Sequence, residues 1–428
     1  MEAEATIAPA AGRRLLDLSA FESRSYRLLW IGTLASFAIN PIRFSAGILF
    51  LTNSAPDDVR LLLAGVLAAI SGGATLVFGV VGGALADRFD RRRILITAQV
   101  VLVVATLAIA LTMAMDVNAL SLTLFFGFIS IGAAALSIDM PARQALVAEI
   151  VPPRHLANAV ALDSVAMMMA LPIALPVAGL LIDELGYGGA YACATAGYAV
   201  ALLTLLPLRY QRALKPREAR FHVLADIRGG LAYVVKASPV FWTLALFFIL
   251  MALAFPLVAN FGPVWVTEVL DLSATEFGFF AAAWGLGAIT ASIVMTRVGH
   301  FPAKGWLFIG AVLLFSVLVL VWAVSRSVPL SAVVNFSLGA CFTVVQISSR
   351  SLIQRAVPFE LQGRVLSLLM LSLAINNIAG LLVGGLAQLT SLEVVTAVLG
   401  SLAFVLIVIV TLTQPAIRRI GEIDPQTA

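Results

Sequence analysis

Arg43 sits in the run "FAINPIRFSAGILFLTN", three residues past Asn40 and two past Pro41, with no carboxylate in the same apolar stretch. A guanidinium is permanently charged and presents five N–H donors in a planar fork. In such surroundings it points to an anionic or electron-rich ligand; the alternative is a side chain that snorkels to the outer surface. Asn260 follows Pro256 in a second run of this kind, and Asn335, Gln346, Asn376 and Asn377 lie in later ones. With Trp284 and the phenylalanines they describe a largely apolar pocket with scattered polar anchors. Acids are scarce in these runs. Asp163 and Asp139 are the candidates for carrying a proton, because a carboxyl in apolar surroundings holds its proton more readily. Both lie near Arg143 and Arg154, so an ordinary ion pair is the competing reading. No nucleophile–base pair or metal-ligand cluster falls in the runs, and the nucleotide loop GxxxxGK[ST] does not occur. The chain does not read as an enzyme or an ATP-driven pump, and no cofactor or metal is expected.

The elements that must position these side chains are membrane-spanning helices. Of the 428 residues, 61% are hydrophobic and 12% charged, and the mean hydropathy is +1.03. Soluble domains are about 45–50% apolar and about 25% charged. The apolar runs are continuous, as in "LFFILMALAF" and "SLAFVLIVIVTL", without the alternation of a β-barrel. An all-α polytopic membrane protein follows. Twelve spans are expected, at about 26–51, 61–86, 94–115, 118–138, 158–182, 189–208, 240–266, 277–297, 305–325, 329–349, 365–388 and 393–413. Cys193 and Cys341 fall inside spans as small core residues, whereas His155, His222 and His300 fall in connections. The N-terminus lacks the order of a signal peptide, so the first span is expected to act as an uncleaved insertion signal.

Charge orients the spans. All but Arg43, Arg60 and Arg326 of the 27 lysines and arginines fall in one alternate set of connections, or close beside them. The opposite set carries Asp57, Asp58, Asp116, Asp183, Glu184, Glu268 and Asp271. Cationic connections stay cytoplasmic, which places both termini on that side of a bacterial-type inner membrane. Topology accounts for the basic balance, and no nucleic-acid partner is implied.

The chain also repeats itself. Pro153-x-x-Leu156-x-x-x-Val160 recurs as Pro358-x-x-Leu361-x-x-x-Val365, and "AGLL" at Ala178–Leu181 recurs at Ala379–Leu382. Arg88 after the second span matches Arg297 after the eighth. The common offset divides the chain into a cytoplasmic N-terminal segment (1–25), a six-helix bundle (26–208), a cytoplasmic linker (209–239), a second six-helix bundle (240–413) and a cytoplasmic tail (414–428). Two pseudo-symmetric bundles with substrate held between them are a transporter architecture. Asn40-Pro41 and Phe255-Pro256 interrupt spans one and seven at similar depth. Each reads either as a wall of the binding site, with carbonyls freed by proline, or as a packing kink.

"GALADRFDRRR", Gly83–Arg93, carries the pattern Gly-x-Leu-Ala-Asp-Arg-x-x-Arg-Arg. It resembles the loop after span two of major facilitator superfamily transporters, with Asp90 where that family usually has glycine. "IDMPARQALVAEIVP" and "NAVALDS" are similar to the enterobactin-exporter and macrolide-efflux branch. The resemblance implies a proton-coupled exporter of amphiphilic, drug-like or siderophore-like molecules, acting by alternating access as a monomer among membrane lipids. It also implies a latch. Gly83 would let spans two and eleven approach, with Asp87 facing the start of span eleven near Gly363 and Arg364. Arg88, Arg91 and Arg92 would engage facing carboxylates and lipid phosphates. The antiporter pattern of span five stands here only in part, as Leu175-Pro176-x-x-Gly179-Leu180. The arginine that proton antiporters often carry within span four is missing from 118–138. A lysophospholipid or lipid flippase and an uncoupled facilitator of the same fold are the rival readings; nothing in the short connections argues for a non-transporting receptor.

Overall fold

The computed structural model describes residues 18–208, 231–298 and 304–415. Most of the N-terminal segment 1–25, of the linker 209–239 and of the tail 414–428 lies outside the described residues, as do His222 and His300. The described chain is helical: α1 (Arg24–Ser54), α2 (Arg60–Arg88), α3 (Arg91–Met113) and α4 (Ala119–Ile150) come first. One continuous assignment, Leu156–Leu205, is divided at Gly186. Its φ of +71° is a conformation that L side chains rarely adopt, so a glycine makes the turn between α5 (156–185) and α6 (187–205). The seventh span, α7, is assembled from Ser238–Ile249, a π-helical turn Leu250–Ala254, and Phe255–Ala259. The short helix Gly262–Glu268 continues it past a break at 260–261. Then follow α8 (Ala274–Val298), α9 (Lys304–Val324), α10 (Val328–Ala356), α11 (Phe359–Leu389) and α12 (Leu392–Thr413).

Local chemistry sets several of these boundaries. Asp90 is the N-cap of α3, its carboxylate accepting from the Arg93 amide at 3.0 Å. The residue that departs from the family's glycine therefore starts a helix after a connection of only Phe89 and Asp90. Asn118 and Ser121 form a capping box on α4. Proline acts differently in the two halves. α7 takes a π-helical turn just before Pro256 and breaks one turn after it, whereas α1 passes through Pro41, and α5 through Pro172 and Pro176, without leaving the α-helix. The matched interruption expected in span one is thus a proline inside a continuous helix.

Two bundles, α1–α6 and α7–α12, meet along two seams, α2 on α11 and α5 on α8. Both seams are closed at the end where the acidic connections lie. A Cβ added to Gly65 or Gly72 of α2 would sit 2.7 Å from the carbonyl of Gly380 or Ala374. On the other seam, a Cβ on Gly179 or Gly278 would sit 2.7 Å from the Cα of Thr275 or Pro176. Such approach needs glycine. Each seam also ends in a helix cap supplied by the other bundle. Asp183 of α5 accepts from the Thr275 amide of α8 at 2.7 Å. Gln388 of α11 accepts from the Leu61 amide of α2 at 2.8 Å and donates to the Asp57 carbonyl at 2.7 Å. Leu61 and Thr275 are both second residues of their helices, where an N–H has no partner within the helix. Arg60 pairs with Glu268 across the same end. At the basic end the seam is different: Gly83 and Gly363 have nothing within 4 Å of where a Cβ would stand.

Two outcomes follow for the acidic end, both read from spin labels at Asp58 and Thr390 once the two native cysteines are replaced. Removing both caps with Asp183→Ala and Gln388→Ala, each about 1 kcal/mol, lengthens and broadens the label distance; an unchanged distribution would refute the role given to the caps. Glu268 lies beyond the span Pro239–Ala259. Burial pushes its carboxyl above the ordinary range, and Arg60 offsets this only in part. A carboxyl that is raised in the closed form binds its proton more tightly there. Closure is therefore expected to strengthen as pH falls toward the carboxylate range and to weaken as pH rises through the Glu268 titration. Glu268→Gln should flatten that dependence.

Candidate functional site

A cavity of about 440 Å³ lies between the bundles. α1, α2, α4 and α5 supply its first-half wall, and α7 to α11 its second-half wall. Arg43 borders it and is only 7% exposed. One guanidinium nitrogen donates to Asn40 Oδ1 at 3.3 Å, and Nε is buried without a partner. Among the described residues no carboxylate reaches ion-pair distance of Arg43. Tyr191 donates to the Arg43 carbonyl at 2.8 Å and fixes the backbone behind the side chain. Leaving a charge unpaired inside a membrane protein costs several kcal/mol, so the arrangement favours an arriving anion.

The cavity brings together Asn40, Pro41, Arg43, Asn260, Trp284, Asn335, Asn376 and Asn377. Gln346, Pro176 and Pro256 do not border it, although Leu175 and Phe255 beside the prolines do. Phe277 and Phe280 are among the phenylalanines that line it, and Ser45, Ser71, Thr75, Ser137 and Trp322 also do, with no signal in the sequence. Ser71, Thr75 and Ser137 donate to carbonyls of their own helices, at 3.3, 2.9 and 2.8 Å, and so read as ordinary helix residues.

A second cavity, also about 440 Å³, lies toward the basic end between α1, α4 and α5; Asn40 and Leu136 border both. Its wall holds the buried pair Asp139–Arg143. The carboxylate accepts from Arg143 Nε at 3.0 Å and Nη2 at 3.1 Å, and from Gln99 at 2.9 Å. Arg143 also reaches Thr33 at 3.3 Å. The expected span 118–138 is too short: α4 runs on to Ile150, so Arg143 lies within a helix and is buried rather than in a solvated connection. Asp163 faces the same cavity, 3.0 Å from the Tyr26 hydroxyl.

At the basic end the latch residues mostly brace their own bundle. Arg91 pairs with Glu149 at 2.9 Å and donates to the carbonyls of Ala86 and Ala145. Arg92 donates to the carbonyls of Leu205 and Leu206, at the C-terminus of α6. In this arrangement Arg91 thus engages a carboxylate of its own bundle and Arg92 engages carbonyls. Arg88 and Arg364 are exposed, and the side chain of Asp87 lies outside the described residues.

Residues 28–381 match the family model for the Major Facilitator Superfamily. The chain belongs to that superfamily. It is 25% identical over 371 residues to the enterobactin exporter EntS of Shigella boydii serotype 4 (strain Sb227), covering 85% of this chain and 86% of that protein. It is 24% identical over 369 residues to EntS of Escherichia coli O1:K1, with the same coverage. Among solved structures, the nucleoside transporter NupG superposes with a TM-score of 0.74 at 13% identity, covering 91% of this chain and 99% of that one. A bacterial homolog of the human lysosomal transporter Spinster, inward-facing and unoccupied, superposes with a TM-score of 0.69 at 14% identity, covering 95% and 98%. These neighbours share the superfamily fold, and the chain is a membrane transporter rather than an enzyme.

The two arginines of this superfamily member should respond differently to mutation. Arg143→Met or Asp139→Asn leaves a buried partner exposed to apolar surroundings and costs about 3–5 kcal/mol, read as a lowered unfolding temperature in detergent. Asp139→Leu combined with Arg143→Met recovers most of that loss. Equal losses for the single and double variants would contradict the pairing.

Proposed function

We propose that this chain is a secondary active exporter of amphiphilic small molecules, working by alternating access in the bacterial inner membrane as a monomer. The observation that carries this reading is Arg43, buried in a cavity between the two bundles with no carboxylate among the described residues to neutralise it. A largely apolar cavity with a single cation fits an amphiphile, and an anionic one in particular. The enterobactin exporters among its relatives favour a siderophore-like or drug-like cargo.

With the basic end cytoplasmic, the present arrangement corresponds to the inward-facing state, sealed outside by glycine contacts and helix caps. In the opposite state the open space around Gly83 and Gly363 would close. There Asp87, Arg88 and Arg364 complete the latch, while Arg91 and Arg92 keep the first bundle rigid. Asp163 is the proton carrier in this scheme. It borders the second cavity, which shares Asn40 and Leu136 with the one that holds Arg43, whereas Asp139 is already held by three hydrogen bonds from Gln99 and Arg143.

The test uses inside-out vesicles with a respiration-driven pH gradient followed by a fluorescent dye. Catecholates, macrolides, lipophilic cations and lysophospholipids are added in turn to wild type, Asp163→Asn and Arg43→Ala. A compound that dissipates the gradient with wild type but with neither variant supports proton-coupled export. If no compound does so, yet labelled cargo crosses reconstituted liposomes, coupling is wrong and a facilitator or lipid flippase takes its place.

A further inference from the structure

The two walls of the central cavity differ in chemistry. On the first-half side Arg43 is the charged group, and no Asp or Glu borders the cavity among the described residues. Three of the hydroxyls beside it spend their hydrogens on their own helices: Ser71 on Leu67, Thr75 on Ser71, Ser137 on Ala133. What these three leave toward the cavity is lone pairs, which do not bind an anion, so an anionic group is directed to the guanidinium and to the Ser45 hydroxyl two residues along the same helix. The guanidinium fork matches one carboxylate.

The second-half side is aromatic. Phe255 is stacked on Phe342 with ring centroids 4.3 Å apart and planes at 18°, and Trp284 meets Phe255 edge-on at 5.8 Å. These neighbours hold the rings in place, and a rigid aromatic wall favours a planar ring over a flexible chain. Above it, Asn260 donates its amide hydrogen to the Asn376 carbonyl at 3.1 Å, and Asn335 donates to the Phe280 carbonyl at 2.9 Å. Because both partners are backbone carbonyls, the contacting atom must be the nitrogen in each case. Each asparagine therefore keeps its side-chain oxygen as an acceptor, beside the second hydrogen of its nitrogen, and a hydroxyl or N–H of the ligand can use that oxygen.

We infer that the cavity takes an aromatic monoanion that carries a hydroxyl or N–H at the end remote from its charge, bound across the two bundles. The anion lies against Arg43, the ring against Phe255 and Trp284, and the donor against the Asn260 and Asn335 oxygens. This rests on the proposed reading of the cavity as the place where cargo binds. It narrows that reading from amphiphiles in general to hydroxyaryl or aminoaryl acids. It also makes binding a contact between halves, since neither wall alone satisfies such a ligand.

The probe is 6-hydroxy-2-naphthoate, titrated against the purified full chain in nanodiscs by tryptophan quenching. It is compared with 2-naphthoate (no donor), 2-naphthol (no carboxylate) and decanoate and a lysophospholipid (no ring). Charge-assisted hydrogen bonds imply that 6-hydroxy-2-naphthoate binds about tenfold or more tighter than 2-naphthol, with 2-naphthoate between them and both ringless compounds weaker. Arg43→Gln should erase the gap between naphthoate and naphthol, and Arg43→Lys should keep part of it. Equal binding of naphthol and the naphthoates by wild type overturns the inference, as does decanoate or the lysophospholipid binding as tightly as the aryl acid. These arms need no variant to fold. Flux of the same compounds in proteoliposomes separates the two readings. The expected binding order without flux of any compound leaves the inference standing and removes export. Flux with a flat binding order removes the inference and leaves export.

Discussion

Helices in hydrocarbon gain no hydrophobic free energy by touching one another, because lipid tails are as apolar as leucine. What joins the two bundles must therefore be close backbone contact and hydrogen bonds that hydrocarbon cannot supply. Both are concentrated at the acidic end. Gly65, Gly72, Gly179 and Gly278 bring backbones together along α2–α11 and α5–α8. Gln388 and Asp183 each satisfy an otherwise unpartnered N–H at the start of the helix opposite. The cavity and its polar walls exist only because the halves are pinned there. The two seams use the same devices at related positions, as an internally duplicated chain would.

The first bundle holds two buried arginines with opposite arrangements. Arg143 has its carboxylate four residues away on the same helix and a hydroxyl from α1, a closed set that braces α1, α3 and α4 together. Arg43 has a neutral amide and open space. A protein could relieve that cost with one nearby carboxylate, and none of the described residues supplies one. In the proposed function that charge is neutralised by the arriving cargo.

Within the charged loop after α2, several contacts serve rigidity. Asp90 starts α3, Arg91 ties α2 and α4 together through Glu149 and two carbonyls, and Arg92 seals the end of α6. Such bracing lets a bundle move as one body, which the proposed rocking of the halves requires.

The sequence by itself determined the class and most of the polar groups that line the cavity. Continuous apolar runs leave no spanning element but helices, and any asparagine or arginine within them is expensive enough to be noticed, as Asn40, Arg43, Asn260, Asn335, Asn376 and Asn377 were. The repeated "AGLL" was legible as a repeat, but not that its glycines, Gly179 and Gly380, lie at the two seams. Tertiary structure alone decided the rest. Arg143 read as a loop residue because a charge near a span's end is cheap in water, and only the course of α4 and the Asp139 pairing show it buried. Gln346 is as polar as the asparagines but stands about three turns along α10 from Asn335, beyond the cavity lining. Serine and threonine hydroxyls satisfied on their own helices carry no mark in the sequence. Which end is closed depends on contacts between residues 327 and 92 positions apart, Leu61 with Gln388 and Asp183 with Thr275, and such pairings come into being only when the two halves pack.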